Sequence, residues 1–249
     1  MNLNQQQTAY LSDTYNRMEQ KFRAECHRMN GRIPYISIDG AYPTWDESMI
    51  NWWTNGFWGG IMWQLYHAEN NSDYMSEANC LEEHLEKAFE HFDLLDHDVG
   101  FLWLHTAVAH YRLTGDPTAR QRGLRAAAVL ASRYCPAGEY IRAWNRPGLS
   151  QMIIDCVMNL PLLFWAASEG AGDHYRQIAI HHLDRVLTHI IREDGSCNHI
   201  VEFDEATGEV LNIPGGQGYG ENSSWSRGQS WAIYGLALAY RYTKKTSYL

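Results

Sequence analysis

The sequence predicts an all-α fold in which helix pairs stack into a solenoid or close into a toroid. Three observations carry this reading. Apolar residues recur at helical spacing along most of the 249 residues. Similar polar turns separate successive helices. Strongly apolar helices alternate with amphipathic ones, as the inner and outer layers of a toroid require.

Residues 7–29 read as the first helix. Residues 54–70 carry Phe57, Trp58, Ile61, Met62 and Leu65 on one stripe. Further helices are predicted over 74–93, 99–114, 117–134, 151–168, 173–191 and 225–243, about eight in all. The turns Asn71-Ser72-Asp73-Tyr74, Gly115-Asp116-Pro117-Thr118, Gly172-Asp173-His174-Tyr175 and Lys245-Thr246-Ser247-Tyr248 share a pattern in which Asp or Ser caps the next helix. Segments 99–114 and 151–168 are apolar and read as inner. Segments 74–93 and 173–191 are charged and read as outer.

One excursion from helix is expected at 197–213. There Ile200-Val201-Glu202-Phe203 and Glu209-Val210-Leu211 flank a Gly-containing turn, the pattern of a β-hairpin. The Gly-rich run from Pro214 to Gly220 must be irregular. The chain stops at Leu249, where another helix should begin, and an open toroid exposes apolar inner faces. Residues 1–249 are therefore expected to form the N-terminal part of one barrel domain whose last helices are missing.

Composition narrows the function. Apolar residues make up 45% and charged residues 20%, which suits a sizeable core. A formal net charge of −9 disfavours non-specific binding to nucleic acid or anionic membranes, yet allows an anionic small substrate in a local pocket. Ten Trp and fifteen Tyr against seven Phe favour surfaces with a flat apolar face and a polar edge. Sugars suit such surfaces, and so does a Trp-rich core. Cys26, Cys80, Cys135, Cys156 and Cys197 show no paired spacing, so reduced thiols in a cytoplasmic protein are expected. No signal peptide or membrane-spanning run is visible.

Loops entering inner helices gather at one mouth of a toroid, so polar residues there are the candidates. Asp98, in Asp96-His97-Asp98, sits where a helix cap belongs, and capping is its simplest role. The trio also offers metal-ligand chemistry, but no further ligand is spaced to complete a site. Asp155 lies deep in an apolar run. Burial and a second carboxylate raise a carboxyl pKa, and a carboxylic acid still protonated near neutral pH suits general acid catalysis. A buried Asp satisfied by backbone N–H groups is the alternative. Trp53 and Trp144 lie in or before loops, where a sugar platform is useful, while Trp58, Trp63 and Trp165 read as core. Arg227 sits in the first turn of a helix, where a cation opposes the dipole. It suits bidentate pairing with a carboxylate, either of a substrate or of a structural ion pair.

Four runs occur in order: Trp53-Thr54-Asn55-Gly56-Phe57-Trp58, His97-Asp98-Val99-Gly100-Phe101, Ile154-Asp155-Cys156 through Asn159-Leu160-Pro161-Leu162-Leu163, and Trp225-Ser226-Arg227-Gly228-Gln229-Ser230-Trp231. Together they resemble the unsaturated glucuronyl hydrolases, family 88 of the glycoside hydrolases, from about residue 45 onward. The resemblance implies an (α/α)6 barrel of twelve helices, of which this chain resembles the first two-thirds. It implies Asp155 as general acid/base and Asp98 as the second essential aspartate. It places Trp53, His97, Trp144, His199, Gln217, Arg227 and Trp231 around the sugar. No cofactor or metal is called for. The implied substrate is an unsaturated anionic oligosaccharide of glycosaminoglycan type. Rival readings are an unsaturated rhamnogalacturonyl hydrolase, a non-catalytic sugar-binding relative, and an epimerase. The epimerase would need paired basic histidines at the mouth, whereas His181 and His182 fall on an outer helix.

Overall fold

The computed structural model describes residues 3–42 and 47–249. Residues 43–46, at the start of the family resemblance, lie outside them. Helix α1 (Gln5–Met29) opens with a capping box in which Asn4 Oδ1 accepts the Gln7 N–H and Gln7 Oε1 accepts the Asn4 N–H. It leans on α3 (Ser72–Glu86), where the buried Tyr74 hydroxyl donates to Glu19 at 2.5 Å. Helix α2 (Asn55–Glu69) packs against α3, with Trp58 Nε1 donating to Glu77 and Trp63 Nε1 to Glu82. Those indole N–H groups would otherwise be buried unpaired, at a cost of about 1–3 kcal/mol each.

Two short helices follow, α4 (Val99–Trp103) and α5 (Ala107–Thr114), where one helix over 99–114 is predicted. The break lies at Thr106 (φ −106°, ψ −94°), whose hydroxyl donates back to Leu102 O at 2.6 Å. A side chain bonding to the preceding turn competes with the helix ladder. Helix α6 (Pro117–Ser132) starts as expected, with Asp116 accepting the Ala119 N–H and Pro117 in the first turn. Helix α7 (Leu160–Ser168) is buried from Leu160 to Ala166, while α8 (Asp173–Arg185) buries only Ala179, His182 and Leu183. Helix α9 (Ser226–Thr243) completes the row. The helices α2, α4–α5, α7 and α9 thus form an inner row, and α3, α6 and α8 lie outside it.

The sheets depart most from expectation. Residues 134–141 form a small hairpin, β1 (Tyr134–Cys135) with β2 (Tyr140–Ile141). Residues 151–158, predicted as the start of a helix, instead fall in strand β3 (Ser150–Ile153) and a 3-10 turn over Ile154–Met158. The expected hairpin is present as β4 (Ile200–Phe203) and β5 (Val210–Asn212), and β3 joins it in the order β3-β4-β5. The apolar run 151–168 suits a buried strand as well as a helix, and pairing with β4 decides between them. Register Ile153↔Ile200 then sets His199 beside the turn that carries Asp155.

Glycines let the inner row close up. A Cβ on Gly56 would collide with Phe101 O and with the Leu102 backbone. A cavity of about 930 Å³ is lined by residues that include Phe57, Trp63, Leu104, Met158, Tyr234 and Leu238. None of the candidate catalytic residues lines it. Gly→Ala inside a helix ordinarily stabilises. Gly56→Ala should do the reverse by about 3 kcal/mol, lowering Tm by roughly 6–12 °C in a thermal melt.

Candidate active site

The nine candidate residues form one connected cluster. Asp98 occupies the cap position of α4, but its side chain makes no capping bond, so capping is not its role. Its backbone N–H is held instead by Asp96 Oδ1 at 2.8 Å. Its own Oδ1 is approached by His97 Nε2 at 3.4 Å and by Asn159 Nδ2 at 3.5 Å. Asn159 is fully buried, accepts the Phe101 N–H at 2.7 Å, and also reaches Asp155 O at 3.5 Å. One amide therefore spans the loop of Asp98 and the turn of Asp155. Gly100 makes room for it, since a Cβ there would strike Asn159. Asn159 stands in the quoted motif, yet no role was read for it. The available signal was a polar amide inside an apolar run.

Asp155 lies in the 3-10 turn after β3 rather than within a long helix. Its Oδ2 is buried and receives no hydrogen bond, which removes the reading of a carboxylate satisfied by backbone N–H groups at that oxygen. His199 Nε2 faces it at 3.5 Å. Only 16% of the Asp98 side chain and 15% of the Asp155 side chain reach solvent.

Burial pushes the Asp98 carboxyl up to about 7, with the charge of Asp155 as the next cause. Asn159 and the more distant Arg133 oppose the rise. Asp96 is also raised, chiefly by burial. Burial holds His97 below its usual range. The metal alternative gains a cluster, because Asp96, His97 and Asp98 bring ligand atoms within 4.8 Å of one another. Asp96 Oδ1 and Asp98 Oδ1 already face N–H groups, so hydrogen bonds account for these contacts.

The remaining residues line both sides. Trp144 meets His97 edge-on at 6.2 Å and carries Arg146 over its ring at 4.4 Å. Trp53 and Trp231 flank Phe101 at 5.4 and 5.6 Å. Arg227 stacks on Trp225 at 4.3 Å and Trp53 at 5.5 Å, and donates to Gln217 Oε1 at 3.1 Å. Among the described residues it makes no ion pair: rings and an amide hold it. Trp225 also packs on His199 at 4.6 Å. Trp58, Trp63 and Trp165 are core, as read. His181 bonds the Tyr134 hydroxyl, and His182 is buried with Nδ1 accepting the Ile141 N–H, so neither stands at this site.

Residues 25–248 match the model of Glycosyl Hydrolase Family 88. The chain belongs to this family. It is 37% identical over 212 residues to an unsaturated chondroitin disaccharide hydrolase of Streptococcus pyogenes serotype M1, covering 83% of this chain and 52% of that protein. It is 36% identical over 222 residues to an unsaturated glucuronyl hydrolase of Bacillus sp. strain GL1, covering 86% and 58%. The crystal structure of an unsaturated glucuronyl hydrolase from Streptococcus agalactiae superposes with a TM-score of 0.84 at 32% identity, over 94% of this chain and 60% of that one. The α/α-barrel expected from the helix pairs is thus the family 88 fold. The chain spans about half the length of the curated relatives it matches.

The raised Asp98 carboxyl has a consequence for stability. A carboxyl whose pKa is higher folded than unfolded favours the native state most below its unfolded value, near 4, and loses that contribution as pH rises through about 7. Thermal melts should therefore show Asp98→Asn gaining on the unmodified family 88 chain between pH 5 and 8. A constant difference across that range would mean that Asp98 carries no such penalty.

Proposed function

We infer that this protein releases the 4,5-unsaturated uronic acid from the non-reducing end of lyase-generated, glycosaminoglycan-type oligosaccharides. The observation that carries the reading is the largely buried Asp98–Asp155 pair, in one cluster with Arg227, which no carboxylate among the described residues pairs. Two kinds of relative support the substrate class. Curated ones are named for unsaturated chondroitin disaccharides. A mutant of the Streptococcus agalactiae enzyme, at TM-score 0.71 and 30% identity, is solved in complex with dGlcA-GalNAc6S.

The chemistry follows from the substrate. An unsaturated uronate has a C4=C5 double bond next to the ring oxygen, a vinyl ether. Asp155 donates its proton to C4, and positive charge develops at C5, shared with the ring oxygen. Water adds to C5 while Asp155 takes back a proton. The resulting hemiketal opens and frees the remaining sugar chain, so one water is consumed and Asp155 ends as it began. Ordinary glycosidases need two carboxylates flanking the anomeric carbon. Here that carbon is not attacked, and one acid/base suffices.

Asp155 suits this part better than Asp98. Each carboxyl has a histidine nitrogen at 3.4–3.5 Å, but Oδ1 of Asp98 also accepts from Asn159, whereas Oδ2 of Asp155 has no hydrogen bond to break. Asp98 instead takes the sugar hydroxyls and sets a second carboxyl near Asp155. Arg227 takes the uronate carboxylate, with Gln217 steadying it. Trp53, Trp144 and Trp231 offer ring faces or edges to the sugar, and His97 and His199 flank the two acids. No step calls for a cofactor. No helix of the described residues is long and apolar enough to cross a membrane. Five unpaired thiols suit a reducing, cytoplasmic setting.

Asp155→Asn should lower turnover by at least about 10²-fold, with circular dichroism and Tm little changed. The assay is loss of absorbance of the conjugated double bond on unsaturated chondroitin and hyaluronan disaccharides. Turnover at the unmodified rate would remove Asp155 from the role of proton donor.

A further inference from the structure

His199 has a choice of tautomer that its surroundings settle. Nδ1 accepts the backbone N–H of Gln217 at 2.9 Å. A ring nitrogen that accepts a hydrogen bond carries no hydrogen, so neutral His199 holds its proton on Nε2. That is the nitrogen facing Asp155 Oδ2 at 3.5 Å. The ring has little freedom to turn away. It is 4% exposed, packs on Trp225, and follows from the register that pairs Ile153 with Ile200.

The loop that supplies the amide depends on one residue. Gly216 has φ +59°, and a Cβ built there would fall on His199 Nδ1 itself. Any side chain at 216 would have to push the ring or the loop aside. The Gly-rich run, irregular in the sequence reading, therefore holds the backbone against the imidazole edge.

We propose that the Gly216–Gln217 step is a positioning device for the proton donor: its amide fixes His199 so that an N–H, not a lone pair, faces Asp155. The two tautomers have opposite consequences. A lone pair facing Asp155 would accept the acid's hydrogen and hold it away from C4. An N–H leaves that hydrogen free, and then donates to the carboxylate that forms once the proton has moved. The interaction is loose before reaction, and it strengthens as negative charge develops on Asp155. Gly216 and Gln217 thereby act through His199, without touching the reacting atoms. The proposal rests on the reading of Asp155 as acid/base, but its first test does not require activity.

That test is nitrogen NMR on protein labelled with ¹⁵N in the histidine rings, with His199 assigned by its loss in His199→Gln. The expected result at pH 7 is a neutral ring with hydrogen on Nε2. A ring protonated on Nδ1, or on both nitrogens, overturns the proposal even if Asp155→Asn is inactive. In Gly216→Ala the Nε2–H signature should give way to a mixture of tautomers. Its kcat should fall about 10–100-fold, the usual effect of losing a partner that orients a working group, with KM changing less than about 3-fold. A fall in kcat with the tautomer intact would make Gly216 merely structural and overturn the assignment. His199→Gln keeps an amide N–H that can point at Asp155, whereas His199→Leu keeps none. The Gln variant should retain at least about 10-fold more kcat, and equal losses in the two would overturn the proposal whether or not Gly216→Ala folds.

Discussion

Two carboxyl groups held out of water near one another cannot both ionise cheaply. Each loses solvation, and each feels the charge of the other. Most of what surrounds Asp98 and Asp155 serves to hold them there despite that cost. The carboxyl that burial raises to about 7 is that of Asp98, with the charge of Asp155 as the second cause. Their surroundings differ at one contact: Asn159 donates to Asp98, while Oδ2 of Asp155 has no hydrogen bond. Stability is given up at this point, since a buried carboxyl is costly to ionise.

The brace behind the pair is Arg133. It is buried, and its guanidinium donates to Leu95 O, Arg142 O, Ala143 O and Asn145 Oδ1 at 2.8–3.1 Å. One planar fork thus ties the residue preceding Asp96-His97-Asp98 to the segment that presents Trp144. The His97 N–H adds a bond to Ala143 O at 3.1 Å. On the opposite side, β3 and β4 deliver Asp155 and His199 in register. The helices supply bulk and curvature, but the short strands and the buried arginine set the distances. Precision at a site comes from rigid supports rather than from the loops themselves.

This division explains what was legible in the sequence. Helix positions follow from periodicity and caps, so α1, α2 and α6 lie close to where they are expected, and the alternation of apolar and charged helices gives the inner and outer layers. The aspartates were legible because a carboxylate in an apolar run demands a reason. The strand β3 was not, because Ser150–Ile153 is buried on both sides and lacks the alternation that marks a half-exposed strand. Its identity depends on a partner fifty residues away in the chain. The role of Asn159 was hidden for the same reason: it exists only once Phe101 and Asp98 are brought beside it. Arg227 was legible as a local conflict. Its aromatic partners were not, since Trp53 reaches it only through the packing of α2 against α4.

The charge balance of the pocket adds a last step. On the proposed reading, the substrate brings a carboxylate of its own into a site that already holds two acids. By itself that would oppose binding, and the net charge of −9 would not help. Arg227, held over Trp225 and Trp53 and paired with no carboxylate among the described residues, supplies the compensating cation. The uronate also acts on the acids. A further anion nearby disfavours the ionisation of Asp98, which burial already opposes. Once C4 is protonated, the developing charge at C5 lies among carboxylates that favour it. The same negative field that makes the empty pocket costly is therefore matched to the cationic transition state, which is where stabilisation raises the rate.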